Sequence, residues 1–177
     1  MEAKNLAELY DLPILDWSLV TDRMDRDFPQ APGTEGPGRH TCWLTTIDAD
    51  GRPHTTGIGG MWLEHTFWFQ TGEHTRKGRN LARDPRVTLA LATEEFDLVL
   101  EGSAELITDP AKVATMAELA VAGGWPARVD ESGTKLTAEF SAPSAGSPPW
   151  SVYRITPERA MALATIEPGG ATSWTFG

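Results

Sequence analysis

From residue 40 onward the chain breaks into short apolar runs, and each run closes on a turn signal within a few residues. Cys42–Ile47, Thr55–Trp62, Phe67–Thr71, Val87–Leu91 and Asp97–Ile107 read as strands, and Ser151–Ile155, Ala160–Ile166 and Ser173–Phe176 read as closing strands. Val87, Leu89 and Leu91 alternate with smaller residues, as a half-buried strand requires. Asp48-Ala49-Asp50-Gly51 turns the first run back on itself, with a glycine available for positive φ. Many short strands and few helices predict a mainly β fold, an antiparallel barrel with helices packed outside.

Residues 1–24 read as two short helices, the second capped by Asp16 with Trp17, Val20 and Met24 on one side. Residues 25–40 are too rich in proline and glycine for a regular element, so 1–40 reads as a helix-and-loop extension. Asp109-Pro110 opens a third helix, with Val113, Met116, Ala117 and Ala120 as its buried stripe and Gly123 as its stop. Residues 124–149 read as a long irregular loop. No linker or repeat divides residues 1–177, which read as one domain.

A net charge of −10 argues against a nucleic-acid partner and against adhesion to anionic membranes. No apolar run approaches the length of a membrane span, and the first residues lack a basic segment followed by an apolar core. Cys42 is the single cysteine, so no internal disulfide forms, and a cytoplasmic location is expected. Among seven tryptophans, Trp43, Trp62 and Trp68 are expected in a β core, whereas Trp150 and Trp174 are candidates for a ring wall or a subunit contact.

Against this acidic background one block concentrates positive charge. The strand ending in Gln70-Thr71 runs through a polar turn to Thr75, and Arg76-Lys77 then open a helix that Asp84-Pro85 stops. Thr75 is placed to cap that helix with its hydroxyl. Free amides, the positive end of the helix dipole and two cationic side chains coincide there, a combination suited to phosphate. Gly57, Gly59 and Gly60 are costly inside a strand. They admit two readings, close approach of a ligand to bare backbone or a corner of the barrel.

These residues resemble the split β-barrel flavin and deazaflavin proteins related to pyridoxamine 5′-phosphate oxidase. The likeness is strongest over residues 40–107, and its most specific part is the aromatic strand ending in Thr, the turn, and Thr75-Arg76-Lys77 standing for Ser-Arg-Lys. It implies an FMN-binding split barrel of Greek-key-like topology. It assigns Arg76 and Lys77 to the cofactor phosphate, the strand backbone from Thr55 through Thr56, Gly57 and Ile58 to Gly60 to the ring, and Gln70 and Thr71 to the same pocket. His54, Thr75, Asn80 and Trp150 complete the implied cofactor set. A homodimer with sites shared between subunits is also implied. Three departures separate the chain from the oxidases: Gly60 stands where they carry a basic residue, Asp97 where a Gln faces the flavin, and their substrate-binding basic residues near the C-terminus are not evident. The block from Arg76 to Pro85, with Asp48–His54 and Pro148-Pro149-Trp150, resembles the actinobacterial branch that often uses the deazaflavin F420.

The cofactor carries the chemistry of such proteins, which fits a sequence with no convincing acid–base pair, and no catalytic side chain is nominated. His40, His54, His65 and His74 lack the spacing of a zinc site, and Asp48/Asp50 reads as a hairpin turn and not as a calcium loop. The leading expectation is an F420-dependent reductase of a small organic substrate. An FMN-dependent oxidoreductase and a non-enzymatic binder of flavin, F420 or haem are the alternatives. Arg79 and Arg83 read either as the start of a basic groove for the F420 tail or as a solvated helix face. Residues 124–149 read either as a mobile cover anchored by Trp150 or as a loop packed on a partner subunit.

Overall fold

The computed structural model describes residues 1–26, 42–140 and 145–177. Most of the Pro/Gly-rich 25–40 stretch, and Ser141–Ser144 of the later loop, lie outside the described residues.

The element order is β1 (Glu2–Asn5), a 3-10 turn (Glu8–Tyr10), α1 (Trp17–Arg26), β2 (Cys42–Ile47), β3 (Pro53–Ile58), β4 (Met61–Leu63), β5 (Thr66–Thr71) and α2 (Arg76–Arg83). There follow β6 (Arg86–Ala92), β7 (Phe96–Ile107), α3 (Pro110–Ala122), β8 (Arg128–Val129), β9 (Leu136–Thr137), β10 (Ser151–Ala164) and β11 (Ala171–Thr175). The main sheet runs β1-β11-β10-β7-β6-β2-β3, and β5 joins it by pairing with β10 on one side and β4 on the other.

β10 is the element on which the sheet divides. Its first half, Ser151–Ile155, pairs with β5, and its second half, Arg159–Leu163, pairs with β11, while β7 follows it throughout. The sequence reads two strands here, but the structure has one with a bulge between Pro157 and Arg159. Glu158 is the extra residue, and it shifts the inward positions from Tyr153 and Ile155 to Ala160 and Ala162. Opposite the bulge, Gly102 leaves no room for a side chain: a Cβ there would lie 2.3 Å from the Thr156 carbonyl oxygen.

The predicted single strand Thr55–Trp62 is also revised. It breaks at Gly59-Gly60 into β3, which pairs with β2, and β4, which pairs with β5. The glycines therefore make a barrel corner, the second of the two readings. A Cβ on Gly60 would meet Phe67 Cζ at 2.3 Å and the Trp68 carbonyl oxygen at 2.7 Å. At the chain start, Glu2–Asn5 forms a strand and not a helix, because the free edge of β11 offers it a ladder. Asp16 caps α1 as predicted, accepting from Ser18 N at 2.8 Å.

Two apolar cores result. The larger fills the barrel with Leu44, Phe67, Phe69, Leu98, Ile155 and Trp174 among others. The smaller lies between the sheet, α3 and the 124–149 segment, around Trp68, Val113, Met116, Leu136, Trp150 and Val152. β5 serves both, since Phe67 and Phe69 face one core and Trp68 the other. The tryptophan expectations divide: Trp68 is buried in the smaller core and Trp62 packs half-buried against the larger one, as expected, while the others depart from them. Trp43 is 54% exposed because its neighbours Cys42 and Leu44 point inward, whereas Trp150 and Trp174 are fully buried. Segment 124–149 also holds more structure than its composition predicts. β8 and β9 form a ribbon closed by Gly133 at φ 74°, and Leu136 exchanges both backbone bonds with Trp150 at 2.9 and 2.7 Å.

Candidate cofactor site at the start of α2

Thr75 caps α2 as the sequence predicts: its hydroxyl accepts from Gly78 N at 3.0 Å and donates to Gly72 O at 2.8 Å. With that proton spent, the 3.0 Å contact between Thr71 and Thr75 uses the proton of Thr71. Both hydroxyls are thus committed to holding the turn, and Thr71 is fully buried.

The two basic residues diverge. Lys77 lies on the buried face of α2 with Gly78, Asn80 and Leu81, and burial lowers its ammonium pKa. Arg76 lies on the open face, its side chain 57% exposed. Arg79 and Arg83 are exposed on the same face at helical spacing, so α2 presents a stripe of guanidinium groups. Arg79 bonds the His74 carbonyl and Arg83 the Ile47 carbonyl, and neither forms a salt bridge among the described residues.

Asp48, read in the sequence as a hairpin-turn residue within the Asp48–His54 segment, proves central. Its carboxylate accepts Arg76 Nε at 3.0 Å, a close contact from Arg76 Nη2, and Asn80 Nδ2 at 2.9 Å. The Arg76 and Asn80 hydrogen bonds hold its pKa far below the usual carboxylate range, and Arg76 is raised in return. Asn80 also donates to Thr46 Oγ1 at 3.0 Å, and Thr46 in turn donates to the His54 carbonyl at 3.4 Å. The network joins α2 to the β2–β3 hairpin. It brings Arg76, Asn80 and His54 together with the Thr71–Thr75 turn, although Asn80, 3% exposed, has its amide hydrogens taken up inside the protein.

β3 has β2 on one side and, among the described residues, is an edge strand on the other. Its Thr55 is exposed, Thr56 and Gly57 half-buried, and Ile58 packs into the core, so at Ile58 only the backbone faces outward. Gln70 is half-buried at the end of β5. Asp97 is exposed on the outer face of β7. Trp150 stands apart: it is fully covered, its Nε1 donates to Gly146 O at 2.8 Å, and it packs 6.2 Å from Trp125. It is a core residue and no surface for a ring. The loop it anchors, Gly146–Pro149, forms one wall of a cleft of about 360 Å³ whose other wall is Gly72–Thr75. Glu73 ties that cleft together, accepting Lys135 Nζ at 2.8 Å and Ser151 Oγ at 3.1 Å, and both bonds lower its pKa. Neither the pairing of Asp48 nor that of Glu73 had a local signal in the sequence, since their partners lie 28 and more than 60 residues away.

A protein-family model described as pyridoxamine 5′-phosphate oxidase matches residues 35–164. The chain belongs to this family. A pyridoxine/pyridoxamine 5′-phosphate oxidase of Paraburkholderia phymatum is 33% identical over 87% of this chain and 82% of its own length. One from Rhodopseudomonas palustris is 29% identical, and the match covers 66% of this chain but 63% of that relative. Among solved structures, a pyridoxamine 5′-phosphate oxidase-related, FMN-binding protein from Nostoc punctiforme aligns with a TM-score of 0.57 at 17% identity, covering 94% of this chain and all of that one. The fold is therefore the split barrel of the oxidase family. No helix among the described residues is long and apolar enough to cross a membrane.

The residues at α2 fit a phosphorylated cofactor. Asp48 engages the Nε/Nη2 edge of Arg76, and among the described residues the terminal Nη1/Nη2 edge of that exposed guanidinium is left for an anion.

Proposed function

We propose that this chain is an oxidoreductase that holds the phosphate of a flavin-type cofactor at the start of α2, that the cofactor is F420, and that hydride passes between it and a small organic substrate. The observation that carries the reading is the exposed stripe of Arg76, Arg79 and Arg83 in a chain of net charge −10. One phosphate, as in FMN, is matched by one guanidinium and a helix start. F420 adds a glutamate tail, and guanidinium groups spread along about two turns of helix suit a ligand with anionic groups along its length. The crowding of Gly60 by Phe67 weighs against the vitamer oxidation for which the relatives are named, because no basic side chain fits there without moving that ring.

When bound, the reduced ring supplies the hydride. The chain's part is to bind, orient and exclude water. Arg76 and the α2 amides take the phosphate, the open edge of β3 offers backbone donors and acceptors to the ring, and the core beneath Ile58 supplies a dry floor. FMN is the second reading, favoured by the FMN-binding description of the Nostoc protein. Separate fluorescence titrations with F420 and FMN test the choice. Tighter binding of F420 is expected. Tight FMN with no F420 affinity reverses the assignment, and binding without turnover of any acceptor makes the protein a carrier.

The same reading includes a homodimer. Trp43, Ala90, Val99 and Met161 stand in register across β2, β6, β7 and β10 on the outer face, with Trp43 54% and Met161 42% exposed. An apolar row of this kind suits a second copy of the chain. Light scattering is expected to report a dimer, and Trp43→Glu a monomer.

A further inference from the structure

We propose that Asp48 is a positioning residue for cofactor binding: it grips the side edge of Arg76 and so aims the terminal edge of that guanidinium at the cofactor phosphate. The inference rests on the phosphate reading above and adds a residue from a different part of the chain.

A guanidinium has two edges that can take an anion through paired N–H groups, one formed by Nε and Nη2 and one by Nη1 and Nη2. Asp48 occupies the first, through Oδ1 at 3.0 Å from Nε and Oδ2 against Nη2. An orienting group must itself be fixed, and Asp48 is. Its backbone N donates to Arg52 O at 2.8 Å across the hairpin turn, Asn80 holds Oδ1 at 2.9 Å, and its side chain is 13% exposed. Asn80 is anchored in turn by Thr46. Arg76, by contrast, is more than half exposed, and a free arginine there would sample many rotamers. A pair this open to solvent adds little to stability, so its consequence is orientation.

The proposal has a sign that simple charge counting reverses. Removing the Asp48 carboxylate makes the site more positive, so Coulomb attraction alone predicts tighter binding of an anionic ligand. Lost orientation predicts weaker binding.

The probes are F420 and its phosphate-free deazariboflavin half, with FMN and riboflavin serving in the same way if FMN is the ring that binds. Asp48→Asn keeps the size of the side chain. It is expected to weaken the phosphorylated ligand about tenfold and to leave the phosphate-free one unchanged. In an Arg76→Ala background the same change is expected to do nothing further, because the effect passes through Arg76. Arg76→Lys keeps the charge but cannot be gripped along an edge, and the same loss is expected. A folded Asp48→Asn protein that holds or gains affinity for the phosphorylated ligand overturns the proposal, as does full affinity in Arg76→Lys or an undiminished Asp48→Asn effect without Arg76. If the unaltered protein does not distinguish phosphorylated from phosphate-free ring, the phosphate reading itself falls and takes this inference with it.

Discussion

Replacing Gly78 with alanine sets two principles against each other at the start of α2. Helix propensity favours the change by about 1 kcal/mol in a helix interior. The packing opposes it. A Cβ at 78 would lie 2.4 Å from Gly72 O and 3.0 Å from both Cα and O of Glu73. These are backbone atoms, which cannot swing aside as a side chain does. The turn or the helix must move by roughly 1 Å to restore ordinary contact, and overpacking of this kind costs about 1–3 kcal/mol. The movement also draws Gly78 N away from Thr75 Oγ1, now 3.0 Å away. Losing that cap adds about 1 kcal/mol. Packing wins, with a net destabilisation of about 1–3 kcal/mol, or a fall in Tm of roughly 2–12 °C for a chain of this size. Urea unfolding followed by tryptophan fluorescence at one fixed protein concentration measures it, as a lower midpoint with an unchanged slope. A midpoint that stays or rises refutes the reasoning, and would mean that the Gly72–Thr75 turn is not seated against the helix.

Arg76→Ala is expected to weaken binding of the phosphorylated cofactor by roughly ten- to a hundredfold, the usual worth of a hydrogen bond to a charged group, while the unfolding midpoint stays put; equal affinities by fluorescence titration count against the site. Trp150→Ala empties a fully buried position between α3, Leu136 and Val152, and a loss of about 3–5 kcal/mol is expected in denaturant unfolding, whereas a surface role in ring binding would leave stability intact. Asp84, hydrogen-bonded by the side chain and backbone of Arg86, has its pKa lowered to about 2. Its folded value lies below the unfolded value of about 3.9, so its contribution is complete above that value and vanishes as pH falls through about 2. Thermal unfolding of the protein and of Asp84→Asn should therefore differ above about pH 4 and converge toward pH 2, and parallel curves would contradict the assignment.

What the sequence determined by itself is whatever a few neighbouring residues decide. The cap at Thr75, the Asp109-Pro110 helix start and the Asp48–Gly51 turn each depend on bonds between residues at most four apart, and each is found where the pattern predicts it. The alternation in β2, β6 and β7 belongs to the same class, because a pleated strand exposes every second side chain whatever it packs against. What tertiary structure decided is everything that needs a distant partner. Glu2–Asn5 becomes a strand because β11 has a free edge, and Pro157 is tolerated within β10 because a bulge takes up the irregularity. Trp43 faces outward and Trp150 inward, since alternation defines two faces without saying which of them a second layer will cover. At the site, proximity in sequence put Arg76 and Lys77 together, but successive helical residues point about 100° apart, and the fold buried one and exposed the other. Asp48 and Arg76 are 28 residues apart and meet because the β2–β3 hairpin docks on α2. A single chain carries no local trace of such a pairing, because the hydrogen bonds that make it exist only after the barrel has closed.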